Sequence, residues 1–165
     1  MPGYDKCTLT AAFQMNLILE RTKAVPFFTD MRSVFKALGM QARDFDWFVS
    51  DIETNYYGGG FTSEDQWITG EALERFITEN TVQFIWAVFS AFPKGVRIPV
   101  ETAPTVEDYT GYWNGIEVVP QLKDALFEIT AWDSSATILV GLPAEAIEEF
   151  MKAYPDTRPL ISAAR

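Results

Sequence analysis

Apolar and polar residues alternate from Phe13 to Leu19, with Phe13, Met15, Leu17 and Leu19 on one side and Gln14 and Asn16 on the other. That is the period of a strand with one buried face. A helix drawn through Leu9, Ala12, Phe13, Asn16 and Leu17 fits the same stretch, so the first strand is expected here with that alternative open. After Pro26 the period lengthens: Phe28, Met31, Phe35 and Leu38 share one helical face, and Gly39 suits the left-handed residue that closes a helix. Asp44 to Ile52, carrying Phe45, Trp47 and Val49, reads as a second strand. Tyr56-Tyr57-Gly58-Gly59-Gly60 then reads as a mobile loop, since three glycines permit backbone angles that neither helix nor strand needs.

Thr69 can cap a second helix, with Glu71 and Glu74 at its positive end and Leu73, Phe76 and Ile77 as its apolar stripe, ending near Asn80. Val82 to Phe92 is almost wholly apolar, as expected of a strand buried on both faces, and Pro93-Lys94-Gly95 turns the chain. Val96 to Val100 reads as a short returning strand and Glu101 to Gly115 as a long irregular excursion. Ile116 to Val119, Ala125 to Trp132 and Ala136 to Gly141 supply further strands, the last two joined as a hairpin across Asp133-Ser134-Ser135. Pro143 opens a third helix with Ile147, Phe150, Met151 and Tyr154 on one face, and Pro155 stops it. This order predicts a single α+β domain over residues 1–165. Its mixed or mainly antiparallel sheet has about six strands and is accompanied by three helices, and residues 1–8 and 160–165 read as frayed ends.

Composition fits that picture. A chain of 165 residues, 48% hydrophobic, with 13 Phe, 6 Tyr and 5 Trp, can bury about 70% of its unfolded surface in one core. Neither a signal peptide nor a run long enough to cross a bilayer is visible, so the cytoplasm is the expected location. The single cysteine, Cys7, makes no internal disulfide, in keeping with a reducing compartment.

The absence of histidine excludes Ser-His-Asp and Cys-His nucleophilic machinery, most zinc sites and imidazole acid–base catalysis. The three glycines carry neither the Gly-Lys-Ser/Thr ending of a phosphate loop nor the spacing of a dinucleotide fingerprint. No cofactor and no metal site are expected. Asp51 and Glu53 alternate on a strand and so share a face. With Asp133 and Trp47 nearby they form a candidate pocket for a small ligand or a carboxylate-dependent reaction. Tyr109, Tyr112 and Trp113 cluster in the excursion beside Glu107 and Asp108, where they either anchor a partner or pin the loop to the core.

With 13 basic and 23 acidic residues the net charge is −10, which repels nucleic acid and anionic lipid and favours a basic protein partner. The charge is segregated: between Asp44 and Asn80 stand nine acids (Asp44, Asp46, Asp51, Glu53, Glu64, Asp65, Glu71, Glu74, Glu79) against one base, Arg75. A one-sided acidic surface of this kind steers a basic partner at high on-rate. The stretches Asp46-Trp47-Phe48-Val49-Ser50-Asp51, Phe84-Ile85-Trp86 and Phe127-Glu128-Ile129 through Trp132-Asp133-Ser134-Ser135, in this element order, resemble small bacterial proteins that are uncharacterised or immunity-like, the antidotes of polymorphic or contact-dependent toxins. The resemblance extends from about Phe13 to Pro159 and carries over no catalytic residue. It implies a cytoplasmic antidote that covers a toxin's active site with an acidic surface. The expected contact residues are Asp44, Asp46, Asp51, Glu53, Glu64, Asp65, Tyr112 and Trp113.

Overall fold

The computed structural model describes residues 15–165. Cys7, Phe13 and the expected frayed end at residues 1–8 lie outside them. The strands are β1 (Leu17–Glu20), β2 (Phe45–Thr54), β3 (Gln66–Thr69), β4 (Phe84–Pro93), β5 (Phe127–Trp132), β6 (Ala136–Val140) and β7 (Arg158–Pro159). The helices are α1 (Met31–Leu38), α2 (Gly70–Glu79) and α3 (Ala144–Ala153). The strands form one seven-stranded sheet in the order β3-β2-β4-β5-β6-β1-β7, and every neighbouring pair is antiparallel. The described residues thus form a single α+β domain with three α-helices and one strand more than expected. None of the described helices is long and apolar enough to cross a membrane.

The three helices lie where their apolar stripes place them. α1 closes on Gly39 at φ 66°, whose N–H bonds the Lys36 carbonyl, and Thr69 caps α2 by accepting from the Ala72 N–H at 3.2 Å. Met31, Val34, Phe35, Leu73, Ile77, Ile147 and Phe150 pack with Leu17, Trp47, Val49, Phe89, Ile129 and Leu139, so the helices share the main core with one face of the sheet. Trp47 is its centre, edge-on to Phe35, Phe45 and Phe127 with centroids 5.5–5.7 Å apart, and its indole N–H bonds the Ala42 carbonyl at 3.0 Å.

The opposite face is covered by the irregular segment 96–126 and by the C-terminal residues. Two smaller clusters form there, Phe48 with Phe92 and Leu122, and Ile18 with Ile138, Val140, Tyr112, Leu160 and Ala163. Cover on both sides accounts for the apolar run of β4, whose Ala87 to Phe92 are all buried.

Four expectations are corrected. Residues 96–100 and 116–119 form no strand, because Ile98, Val100 and Val118 are held by side-chain packing without a backbone partner. β3 and β7 are additional strands, recruited by pairing with β2 and β1. Residues 160–163 form a 3₁₀ turn with Leu160 and Ala163 buried, so this end is docked. The second strand is not regular: the β2–β4 register shifts between Ser50 and Glu53, and Asp51 takes φ 53°, a bulge that places one extra residue on β2.

Candidate functional site

The carboxylates of the acidic stretch serve different ends. Asp46 is 6% exposed. Its Oδ1 accepts the N–H of Gly70 at 3.3 Å and its Oδ2 that of Gly95 at 2.9 Å, clamping the start of α2 and the turn after β4 to β2. The bulge turns Asp51 so that its Oδ2 accepts from the Val106 N–H at 2.7 Å, while its own N–H donates to Asp65 Oδ1 at 2.9 Å. Glu71 pairs with Lys94 and Glu74 with Arg43, and the Lys94 hydrogen bond holds the Glu71 carboxyl below its usual range. Asp44, Glu53 and Glu64 remain exposed, with no cation paired to them among the described residues.

The expected pocket does not assemble. Trp47 is 0% exposed and faces the helices. Asp51 is tied to residue 106, and Asp133 sits at φ 46° in the β5–β6 hairpin turn. Among the described residues no three acidic or cysteine side chains converge as metal ligands. The hollows between α1 and α3, along α2, and beside residues 117–126 include none of Asp51, Glu53 and Asp133.

Beneath the excursion lies a polar cluster that sequence reasoning missed. Glu128 and Thr130 of β5 point away from the helices, with Ser90 of β4 across from Glu128, and all three are fully buried. Tyr112, 1% exposed, brings its Oη to 2.8 Å from both Glu128 Oε1 and Thr130 Oγ1. Gln121 donates its backbone N–H to Glu128 Oε2 at 2.8 Å and its side-chain amide to Tyr112 Oη at 2.9 Å and to the Thr105 carbonyl at 2.9 Å. Burial pushes the Glu128 carboxyl up to about 7, against the lowering effect of the Gln121 and Tyr112 hydrogen bonds. Burial, reinforced by the Glu128 charge, raises the Tyr112 phenol well above its ordinary value. These bonds tie residues 105, 112 and 121 to β5 and so pin the excursion onto the sheet. The readable signal was Phe127-Glu128-Ile129-Thr130, an alternation that puts a carboxylate on an inner strand.

Trp113 belongs to a different arrangement. Trp86 lies across from Glu53 in the β2–β4 register. From there half-buried tryptophans pack edge to face, Trp86 with Trp132 at 5.2 Å and Trp132 with Trp113 at 4.7 Å between centroids. Arg165 covers the Trp113 ring at 4.1 Å and bonds Glu20 Oε2 at 3.1 Å. Thr110, Trp113, Asn114, Trp132 and Arg165 bound a shallow hollow of about 360 Å³. No protein-family model, curated protein or solved structure matches this chain significantly. What the row offers rests on its chemistry: partly desolvated rings with Glu53 at one end and Arg165 over the Trp113 ring at the other are surfaces on which planar groups stack.

Proposed function

We propose that this chain is a cytoplasmic, immunity-type inhibitor that binds a basic toxin or enzyme by surface complementarity and performs no catalysis itself. The observation that carries the reading is the half-buried row Trp86–Trp132–Trp113 starting opposite the exposed Glu53. Partly exposed tryptophans concentrate binding energy at interfaces, and adjacent carboxylates select cationic partners and speed their encounter. The net charge of −10 acts in the same direction, and the resemblance to antidotes agrees with it. Asp46 and Tyr112 leave the contact set because their polar atoms are committed inside the fold.

The test is retention of a partner from source-cell extract on the immobilised protein, followed by affinity measurements with the purified partner. A basic partner should bind with an affinity that falls as salt rises, and Glu53→Gln and Trp113→Ala should each weaken binding about tenfold. Affinity insensitive to salt and to both substitutions would overturn the reading.

A further inference from the structure

The two margins of the sheet are built differently. β7 is two residues long and consists of Arg158 and Pro159, so it offers a charged side chain and a residue without an N–H. β3, at the other margin, carries Gln66, Trp67, Ile68 and Thr69, with none of the lysine, proline or bulge that blunts an edge. Its only strand partner among the described residues is β2. Among the described residues the backbone of Gln66 to Ile68 makes no further hydrogen bond outside this pairing, while the carbonyl of Thr69, the N-cap of α2, serves the first turn of that helix. Alternate N–H and C=O groups of β3 therefore point outward, unused, along a strand that is half-buried to exposed throughout.

The surroundings of this edge are acidic at both ends. Glu64 and Asp65 immediately precede it, and Asp44 stands two residues before Asp46, the partner of Thr69. Of the nearby cations, Arg43 and Lys94 are already held by Glu74 and Glu71, while Arg97 lies over the Trp67 ring at 5.6 Å, leaving Glu64, Asp65 and Asp44 as the acids around the edge. On one face Trp67 lies against Phe48 and Phe92 at 5.3 and 5.1 Å, giving an added strand an aromatic floor to pack on. A second copy of the chain is a poor occupant. Antiparallel self-pairing about a two-fold between Trp67 and Ile68 sets the Glu64–Asp65 end of one copy beside the Thr69 end of the other, near Asp44, so acids meet acids.

We infer that the β3 edge accepts an extended segment of a basic protein by strand addition, backbone to backbone, with lysine or arginine side chains of the added strand reaching Glu64, Asp65 and Asp44. This deepens the reading as a binder of a basic partner, and rests on it. The recognised chemistry is an extended peptide with basic residues at alternate positions.

The probe is a library of capped peptides of about eight residues, lysine or arginine alternating with Val, Ile, Thr or Tyr, beside a matched library with glutamate at the basic positions. Retained peptides are then titrated against the full chain while amide hydrogen exchange is followed residue by residue. The basic library should be enriched over the acidic one by at least about tenfold, and the outward amides of residues 66–69 should gain protection. The double variant Glu64→Lys, Gln66→Lys, shown folded by circular dichroism, should lose this preference, whereas Glu64→Gln alone should weaken it in part. No enrichment of basic peptides, or enrichment with the β3 amides unprotected and the double variant unaffected, overturns strand addition. In the latter outcome binding of basic chains at the tryptophan row still stands, so the two readings fail separately.

Discussion

Glu128 makes the stability of this protein depend on pH in the direction opposite to most carboxylates. Its carboxyl stands at about 7 in the folded chain against an ordinary value of 4.5, because burial penalises the charged form more than two donors relieve it. Between those values the folded chain holds a proton that the unfolded chain has released, so stability falls as pH rises through the window. The full effect, about 3 kcal/mol, is reached above pH 7, and below 4.5 there is no difference. For a chain of this size that corresponds to roughly 6–12 °C in Tm. The network accommodates the neutral form: Tyr112 Oη can accept from Glu128 and from the Gln121 amide while donating to Thr130 Oγ1, all at distances of 2.8–2.9 Å. Glu128→Gln can make the same bonds, with its amide toward Tyr112 and its carbonyl toward the Gln121 N–H. Thermal unfolding of both proteins at pH 5 and pH 8 should show the native chain losing most of that interval in Tm at the higher pH and the variant nearly none. Equal losses in the two proteins would place the effect in the repulsion of the net charge of −10 and refute the role given to Glu128.

Three further outcomes are expected from urea denaturation. Gly70→Ala should cost more than roughly 3 kcal/mol or prevent folding, because its Cβ would stand 2.0 Å from the Phe45 carbonyl oxygen and 2.4 Å from that of Ala42, both backbone atoms. Asp46→Ala should cost about 2 kcal/mol, since the N–H groups of Gly70 and Gly95 lose their acceptor. Ser90→Ala should stabilise the protein by about 1 kcal/mol, because the Ser90 hydroxyl is buried without a partner among the described residues, and a loss of stability on its removal would mean that the hydroxyl is satisfied after all.

The helices were legible because each needs only its own stripe: Met31, Phe35 and Leu38 repeat on one face of α1, with Phe28 in the turn ahead of it, and Gly39 ends the run where the chain turns. Strands need a partner, and the sequence does not say which segment has one. Residues 96–100 have β-branched side chains, yet their Ile98 and Val100 join Phe48, Phe92 and Leu122 with no ladder alongside. Gln66-Trp67-Ile68-Thr69 shows no clear alternation and becomes a strand because β2 extends past it in register, Asp46 to Thr69 and Val49 to Gln66. The bulge at Asp51 was equally hidden, since nothing in Val49-Ser50-Asp51-Ile52 marks the position where the register shifts.

The acidic stretch shows why charge read along a chain differs from charge on a surface. Asp46, Asp51 and Asp65 accept backbone N–H groups, and Glu71 and Glu74 hold Lys94 and Arg43. A carboxylate is among the few side chains able to satisfy two backbone donors at once, and β2, bordered by turns and helix starts, has many such donors. Much of the segregation therefore reflects the construction of the fold. The acids of the stretch in no ion pair or backbone bond among the described residues are fewer: Glu53 opposite Trp86 at one end of β2, Asp44 at the other, Glu64 at the entry to the open edge, and Glu79 at the end of α2. If binding were a matter of net charge alone, neutralising any exposed acid, such as Glu148 on α3, would weaken a basic partner as much as neutralising Glu53. The geometry requires instead that Glu53→Gln act strongly and Glu148→Gln hardly at all, and affinities of the two variants for one partner, measured at the same salt, decide between field and site.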